Sequence, residues 1–117
     1  MRLIMYVVVN QDLEMSSGKV AAQVGHAVFD YVERLVSEDE LPIKYLITLF
    51  KENGDTICVL KAPEKQLRKL VEEGYVGVID RGYTEIPHDS LTAVNLGLYD
   101  RERADDIPKW IRRLRVL

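Results

Sequence analysis

An unbroken apolar run near the start of the chain, followed by a long amphipathic pattern, constrains the fold most strongly. Residues 3–9 read Leu-Ile-Met-Tyr-Val-Val-Val, which is typical of a central strand covered on both faces. After a polar loop at 10–18, apolar residues recur at helical spacing from Lys19 to about Val36, and this pattern predicts a helix. A strand followed at once by a helix is typical of α/β proteins.

The rest of the chain continues this alternation. Three more helices are predicted, at 42–51, at 63–73 and from about Pro108. Three more strands are predicted, at 56–61, 75–79 and 91–98. Helices between strands favour a partly parallel sheet that is covered on both faces. The connection between the last two strands is only about ten residues long, and such short links usually join antiparallel neighbours. The sequence therefore predicts an α/β fold with a mixed, four-stranded sheet and helices on both faces.

Length and composition narrow the class of protein further. A chain of 117 residues with 47% apolar and 30% charged residues is expected to form one globular domain rather than a disordered segment. No apolar stretch approaches the roughly 18 residues of a membrane helix, and no cleavage site follows the N-terminal apolar run. These features predict a cytoplasmic protein with no membrane partner. The net charge of −3 does not indicate nucleic-acid binding, so an RNA partner would have to bind local basic patches.

The first cluster of candidate functional residues lies at the start of the long helix. Lys19, Gln23 and His26 are spaced i, i+4 and i+7, so they share one helix face. A lysine in the first turn opposes the helix dipole, and this position makes sense if an anion or a developing negative charge lies beside it. A solvated polar face explains the same spacing equally well, and a single histidine is more often structural than catalytic.

The second cluster follows the third predicted strand. Asp80 ends an apolar segment, and ligand sites in open α/β sheets lie beyond the carboxyl ends of the strands. Gly82 permits a tight backbone path, and Thr84 offers a hydroxyl group four residues after the aspartate. Taken alone, these residues are better explained as an Asx turn that ends a strand, with Arg81 and Glu85 solvated.

Other common kinds of catalytic site find little support in the sequence. The two histidines, His26 and His88, are far apart, and no helical histidine pair with a glutamate is present. The chain contains neither a glycine-rich phosphate loop nor a Gly-x-Ser-x-Gly elbow. We therefore expect neither a metal nor a cofactor.

Basic residues are concentrated in two segments that could contact phosphate groups. The members are Lys61, Lys65, Arg68 and Lys69 in the first, and Lys109, Arg112, Arg113 and Arg115 in the second. The preference of cations for helix C-termini explains much of the second segment without any ligand. We take Lys61, Arg68 and Arg112, together with Arg81 beside Asp80, as candidate substrate-binding residues.

Both site motifs resemble those of a known family. Gly-Lys-Val-Ala-Ala-Gln-x-x-His-Ala at 18–27 is similar to the signature of the peptidyl-tRNA hydrolase 2 family. The segment Asp80-x-Gly82-x-Thr84-x-Ile86-Pro87 resembles that family's Asp-Ala-Gly-Arg-Thr-Gln-Ile. Asn95-Leu96-Gly97 before a terminal helix resembles the family's ending. The resemblance thus covers nearly the whole chain.

The resemblance implies a mixed four-stranded sheet flanked by helices, usually in a homodimer, and a metal-free hydrolase that acts on peptidyl-tRNA. It also implies that five residues surround one cleft as catalytic residues: Lys19, Gln23, His26, Asp80 and Thr84. The chain departs from the family at Ser16-Ser17, where a Gly-Lys pair is common, at Arg81, where the family has alanine, and at Tyr83, where it has arginine.

Hydrolysis of an ester requires an oriented or deprotonated water molecule and stabilisation of the oxyanion and of the leaving alkoxide. We hypothesise that Asp80 positions or activates the water and that Lys19 stabilises the developing charge. Thr84 and Gln23 would hold substrate or water, and His26 would orient its neighbours or contact the tRNA end. Lys19 and Asp80 could instead form an ion pair that positions the substrate.

Two other functions remain open on the sequence. A protein of this fold could bind RNA or a protein without turnover, or it could hydrolyse another small ester or amide. Turnover of peptidyl-tRNA separates an enzyme from a silent binding module, and competition by uncharged tRNA separates both from a small-molecule hydrolase.

Overall fold

A five-stranded mixed sheet forms the centre of the protein, in the strand order β3-β4-β1-β2-β5. The structure, a computed structural model, describes residues 1–38, 42–82 and 85–117. The strands are β1 (Leu3–Asn10), β2 (Ile57–Ala62), β3 (Val76–Asp80), β4 (Ser90–Asp100) and β5 (Arg115–Val116). The helices are α1 (Ser17–Glu38), α2 (Ile43–Glu52), α3 (Glu64–Glu72) and α4 (Lys109–Arg113), and a 3₁₀ segment spans Arg101–Asp106.

The pairing of the strands confirms a mixed sheet. β1 and β2 are parallel, and β4 is antiparallel to both β1 and β3. The prediction that the last two long strands are antiparallel neighbours is therefore confirmed. The predicted number of four strands was wrong, because β5 pairs with β2 through Leu60↔Val116 and Lys61↔Arg115. A strand of two residues is too short to produce a periodic sequence pattern.

Two apolar cores lie on opposite faces of the sheet and explain the continuous hydrophobic strands. On one face, Met5, Val7 and Val9 pack with Ala27 of α1. On the other face, Val8 packs with Leu67 of α3 and Ile111 of α4 among others. Successive side chains of a strand point to opposite faces, so a strand covered on both faces has no polar alternation. Helices on both faces, as predicted, result from this arrangement.

One edge of the sheet gathers the carboxyl ends of three strands. Because β1 and β2 are parallel and β3 and β1 are both antiparallel to β4, these three strands end on the same side at Asn10, Ala62 and Asp80. Helices α1 and α3 begin at this side, after β1 and β2 respectively. Within the described ranges, no helix is both long and apolar enough to cross a membrane.

Candidate active site

Lys19 and Asp80 form an ion pair where α1 begins and β3 ends. Lys19 Nζ lies 3.1 Å from Asp80 Oδ2, although the residues are 61 positions apart in the chain. The side chains are 12% and 17% exposed respectively, so the pair is largely sheltered but still reachable by a ligand. The anion that a first-turn lysine requires is therefore supplied by the protein itself.

The carboxylate of Asp80 is held by two further donors. The backbone N–H of Gly82 donates to Oδ2 at 2.9 Å, and Gln23 Nε2 donates to Oδ1 at 3.4 Å. The Gly82 hydrogen bond is the largest cause of a lowered pKa for Asp80, Lys19 lowers that pKa further, and partial burial opposes both. Asp80 is therefore ionised at neutral pH. A carboxylate with a low pKa is a weak general base, which favours a role in orienting water.

Gln23 connects Asp80 to the interior of the sheet. Its side chain is 1% exposed, and its Oε1 accepts a hydrogen bond of 2.7 Å from Thr92 Oγ1 in β4. Thr92 is itself fully buried. Both ends of the Gln23 amide are thus used within the protein, so this side chain positions Asp80. Thr92 was missed in the sequence because it lies within an apolar strand, where a threonine is unremarkable.

The loop before α1 is tied to the loop after β3. Ser16 caps the helix, since its Oγ accepts a hydrogen bond of 3.2 Å from the Lys19 backbone N–H. The same serine donates to Glu85 from its Oγ at 2.6 Å and from its backbone N–H at 2.9 Å. These bonds lower the pKa of Glu85, to which the charge of Lys19 also contributes. Glu85 is therefore not merely solvated, and Lys19 lies near two carboxylates.

The remaining candidate residues are distributed unevenly. His26 and Arg81 are exposed, and both line a groove of about 220 Å³ beside Asp80. Thr84 lies outside the described residues. Lys61 is in β2, Arg68 in α3 and Arg112 in α4, so Arg81 is the candidate substrate-binding residue that lies beside the ion pair. In the part of the chain that the structure describes, no group of three or more histidine, cysteine and acidic side chains could hold a metal ion.

Comparison with known proteins shows the family of the chain. Residues 3–116 match the family model described as peptidyl-tRNA hydrolase PTH2. The chain belongs to the peptidyl-tRNA hydrolase PTH2 family. The predicted resemblance of the chain to this family is thereby confirmed.

Individual relatives from the PTH2 family align along most of the chain. The peptidyl-tRNA hydrolase of Sulfurisphaera tokodaii is 31% identical over 88% of this chain and 91% of its own length. The peptidyl-tRNA hydrolase of Haloquadratum walsbyi is 32% identical over 86% of this chain and 90% of its own. A longer Caenorhabditis elegans protein, named "Probable peptidyl-tRNA hydrolase 2", is 32% identical over 94% of this chain but 36% of its own length.

The hydrogen bond from Thr92 to Gln23 can be tested in this PTH2 family member by replacing Thr92 with valine. Thr92→Val keeps the shape of the side chain but leaves the buried Oε1 of Gln23 without its donor. We expect a loss of about 1–3 kcal/mol in the free energy of unfolding, measured by urea denaturation. Thr92→Ser is the matched control because it keeps the hydroxyl group. Equal stability and equal turnover of the two variants would show that Thr92 does not hold Gln23 against Asp80.

Proposed function

We propose that this protein hydrolyses the ester bond of peptidyl-tRNA and releases the peptide and free tRNA. The observation that carries the proposal is the sheltered Lys19–Asp80 ion pair at the start of α1 in a chain that matches the peptidyl-tRNA hydrolase PTH2 family from residue 3 to residue 116. Archaeal relatives that bear the name peptidyl-tRNA hydrolase align over about nine-tenths of their own lengths.

Asp80 would orient the attacking water. Its Oδ2 accepts from both Lys19 and Gly82, whereas its Oδ1 accepts one long bond of 3.4 Å from Gln23. Oδ1 therefore has the spare lone pair to accept a hydrogen bond from water. Because the pKa of Asp80 is lowered, the carboxylate would position the water and stabilise the positive charge of the attacking oxygen more than it would remove a proton before attack.

Lys19 would stabilise the negative charge that develops on the ester. Its ammonium group has three N–H donors, and one of them is directed at Asp80. Within the described residues the others have no acceptor, so they would be available for the oxyanion or for the leaving ribose oxygen. The N-terminus of α1 adds positive potential at the same place. In this mechanism Gln23 is a positioning residue, His26 orients its neighbours from the wall of the groove, and Thr84 holds substrate or water.

Single-turnover hydrolysis of peptidyl-tRNA by the intact protein tests the proposal. We expect release of free tRNA at a rate that depends on enzyme concentration and that is unchanged when EDTA is present. Binding of peptidyl-tRNA without cleavage would favour the silent binding module. Absence of competition by uncharged tRNA would favour a hydrolase for small esters or amides.

The tRNA would contact the basic surface formed by α3 and α4. These helices carry six of the 16 lysine and arginine residues of the chain: Lys65, Arg68, Lys69, Lys109, Arg112 and Arg113. Lys61 and Arg115 pair side by side on the opposite face of the sheet, because their neighbour Leu60 packs with Leu67 and Ile111. A groove of about 500 Å³ between α3 and α4 is lined by Lys65, Lys69 and Trp110. Such a local cluster of cations can bind phosphate groups although the net charge of the whole chain is negative, because phosphate contacts depend on nearby cations.

The contribution of this surface can be measured through the salt dependence of tRNA binding. Each phosphate contact contributes a slope of roughly −0.7 to −0.9 to a plot of log affinity against log salt concentration. We expect Arg112→Ala to reduce the magnitude of the slope by about one. Arg68→Ala should have a smaller effect, since Arg68 already pairs with Glu64 at 3.1 Å.

Lys51→Ala is the matched control for the salt series. It removes one positive charge from α2, where Lys51 is 69% exposed and pairs with Asp55. A slope that changes equally for Lys51→Ala and Arg112→Ala would show that the basic surface makes no specific phosphate contact.

We further propose that the protein acts in the cytoplasm as a homodimer. An apolar hollow between α1 and β2 supports self-association, because Ile57 and Leu117 on its wall are 38% and 55% exposed and such patches mark interaction surfaces. Sedimentation velocity measures the oligomeric state directly, and a single monomeric species at micromolar concentration would contradict this part of the proposal.

A further inference from the structure

The outer strand β3 has one edge without a partner strand in the described part of the chain. β3 pairs with β4 on one side and is the first strand in the order of the sheet. Proteins usually protect such an edge with lysine or proline, yet β3 reads Val-Gly-Val-Ile-Asp. The strand ends at Asp80, so the free edge leads directly to the ion pair.

Two peptide groups of β3 point toward this free edge. The carbonyl oxygen of Val78 lies 3.3 Å from Thr92 Oγ1 of β4, and Val78 is opposite Ala93 of β4. The peptide groups of Val78 therefore face β4. The register shifts here because β4 carries an extra residue, Thr92, while β3 is continuous. Hydrogen-bonding directions therefore still alternate along β3, and those of Gly77 and Ile79 face outward. The side chain of Ile79 is 57% exposed, so solvent reaches this part of the strand.

A groove lies between α1 and this strand. Gln23, His26 and Asp30 of α1 line one wall and residues 78–81 line the other, enclosing about 220 Å³. From Gln23 to Asp30 the helix rises roughly 10 Å at about 1.5 Å per residue. That length accommodates roughly three residues of an extended peptide at about 3.3 Å each.

We propose that the peptide of peptidyl-tRNA binds in this groove as an added strand, with main-chain hydrogen bonds to Gly77 and Ile79. The inference rests on the proposed function, since the reacting ester must lie beside Lys19 and Asp80. The ester joins the C-terminal residue of the peptide to the tRNA. The peptide must therefore run back along β3 from Asp80, in the same direction as β3, and the pairing is parallel.

Recognition of the peptide through its main chain suits a substrate whose side chains vary. Peptides released from tRNA have no common sequence, and their shared features are the backbone N–H and C=O groups. Addition of a strand to a sheet edge uses these groups for affinity, whereas side chains affect only the pockets at alternate positions. The groove next to His26 receives one set of alternate side chains, and the exposed Ile79 lies beside the other set.

N-methylated substrates test the proposal with the enzyme unchanged. The probes are N-acetyl-tetra-alanyl-tRNA and a series in which one peptide amide at a time carries an N-methyl group. In a paired strand only every second N–H points toward the partner. We expect methylation at alternate amides to lower kcat/KM by about two- to tenfold, the effect of one lost hydrogen bond, and methylation at the intervening amides to have little effect.

N-acetyl-alanyl-tRNA provides the reference reaction in the same assay. Hydrolysis of this short substrate together with an alternating loss in the longer series supports the added strand. Equal rates throughout the series, or equal losses at every amide, would overturn the added strand while the proposed hydrolase function stands. Failure to cleave any of these substrates would instead overturn the proposed function, and this inference with it.

Two variants of the protein test the same hydrogen bonds by removing the donor of β3 instead of the donor of the substrate. Ile79→Pro removes the outward N–H, at a position where an edge strand tolerates proline, whereas Ile79→Ala trims the side chain and keeps the N–H. The measurement is the ratio of kcat/KM for the tetra-alanyl and acetyl-alanyl substrates. Ile79→Pro should lower this ratio by about two- to tenfold relative to Ile79→Ala, and equal ratios would contradict pairing at Ile79.

Discussion

Lys19→Ala and Asp80→Asn should each slow single-turnover hydrolysis of peptidyl-tRNA by at least about 10²-fold, as expected for lost electrostatic help. The double variant should be little slower than either single variant. The reason is the direct contact at 3.1 Å, because groups that act as a unit give losses that do not multiply. Removal of Lys19 leaves Asp80 without its cation, and removal of the Asp80 charge leaves Lys19 without the partner that directs it.

An exposed ion pair at the end of α2, between Lys51 and Asp55, supplies a control for this cycle. Lys51 and Asp55 are 3.7 Å apart and are both more than half exposed, so Lys51→Ala and Asp55→Asn should leave turnover near the wild-type rate. Thermal melts should show that all variants are folded. Near wild-type rates for both Lys19→Ala and Asp80→Asn would favour a binding module. Large losses that multiply would show that the two residues act independently, and a raised KM with unchanged kcat would assign the pair to substrate positioning.

Gly82→Ala should disrupt both the loop after β3 and the chemistry. Gly82 has φ of +75°, where an L side chain costs about 1–2 kcal/mol. A Cβ atom at this position would lie 2.7 Å from backbone atoms of His88 and Pro87, so the backbone must also move. The Gly82 N–H holds Asp80 Oδ2 at 2.9 Å, and displacement of a catalytic group by about 1 Å can cost 10²-fold in rate. We expect a loss of turnover on the order of 10²-fold.

Gly74→Ala separates backbone strain from the effect on Asp80. Gly74 has φ of +104°, and a Cβ atom there would meet nothing within 4 Å. We expect urea denaturation to show a lower free energy of unfolding for Gly74→Ala, because alanine is strained in the left-handed conformation. Peptidyl-tRNA hydrolysis should stay near the wild-type rate. If Gly82→Ala loses no more turnover than Gly74→Ala, the Gly82 N–H does not position the carboxylate.

Much of the fold could be predicted because each long element has a local pattern. The helical spacing from Lys19 to Val36 and the apolar run at 3–9 both reflect which side chains must leave water. The four long strands and the four helices accordingly lie close to their predicted ranges. β5 escaped prediction because its two residues are stabilised by pairing with Leu60 and Lys61 of β2, and no local signal encodes that contact.

The candidate site was only partly accessible to the same reasoning. Periodicity predicted that Lys19, Gln23 and His26 share one face of a helix. All three lie on α1, but periodicity could not distinguish the buried Gln23 from the exposed His26. That difference arises because β4 presents Thr92 to Gln23. The sequence likewise predicted a solvated Glu85, whereas in the structure the loop geometry places its carboxylate in hydrogen-bonding contact with Ser16.

The sequence by itself determined where strands and helices form and which residues are suited to act on an ester. Tertiary structure decided which of those residues meet. Lys19 reaches Asp80 across 61 positions only because β4 pairs with both β1 and β3, which sets the end of β3 beside the start of α1. Local patterns report the burial of a side chain, whereas a contact between distant residues depends on strand order and register, and these are decided by the packing of the whole sheet.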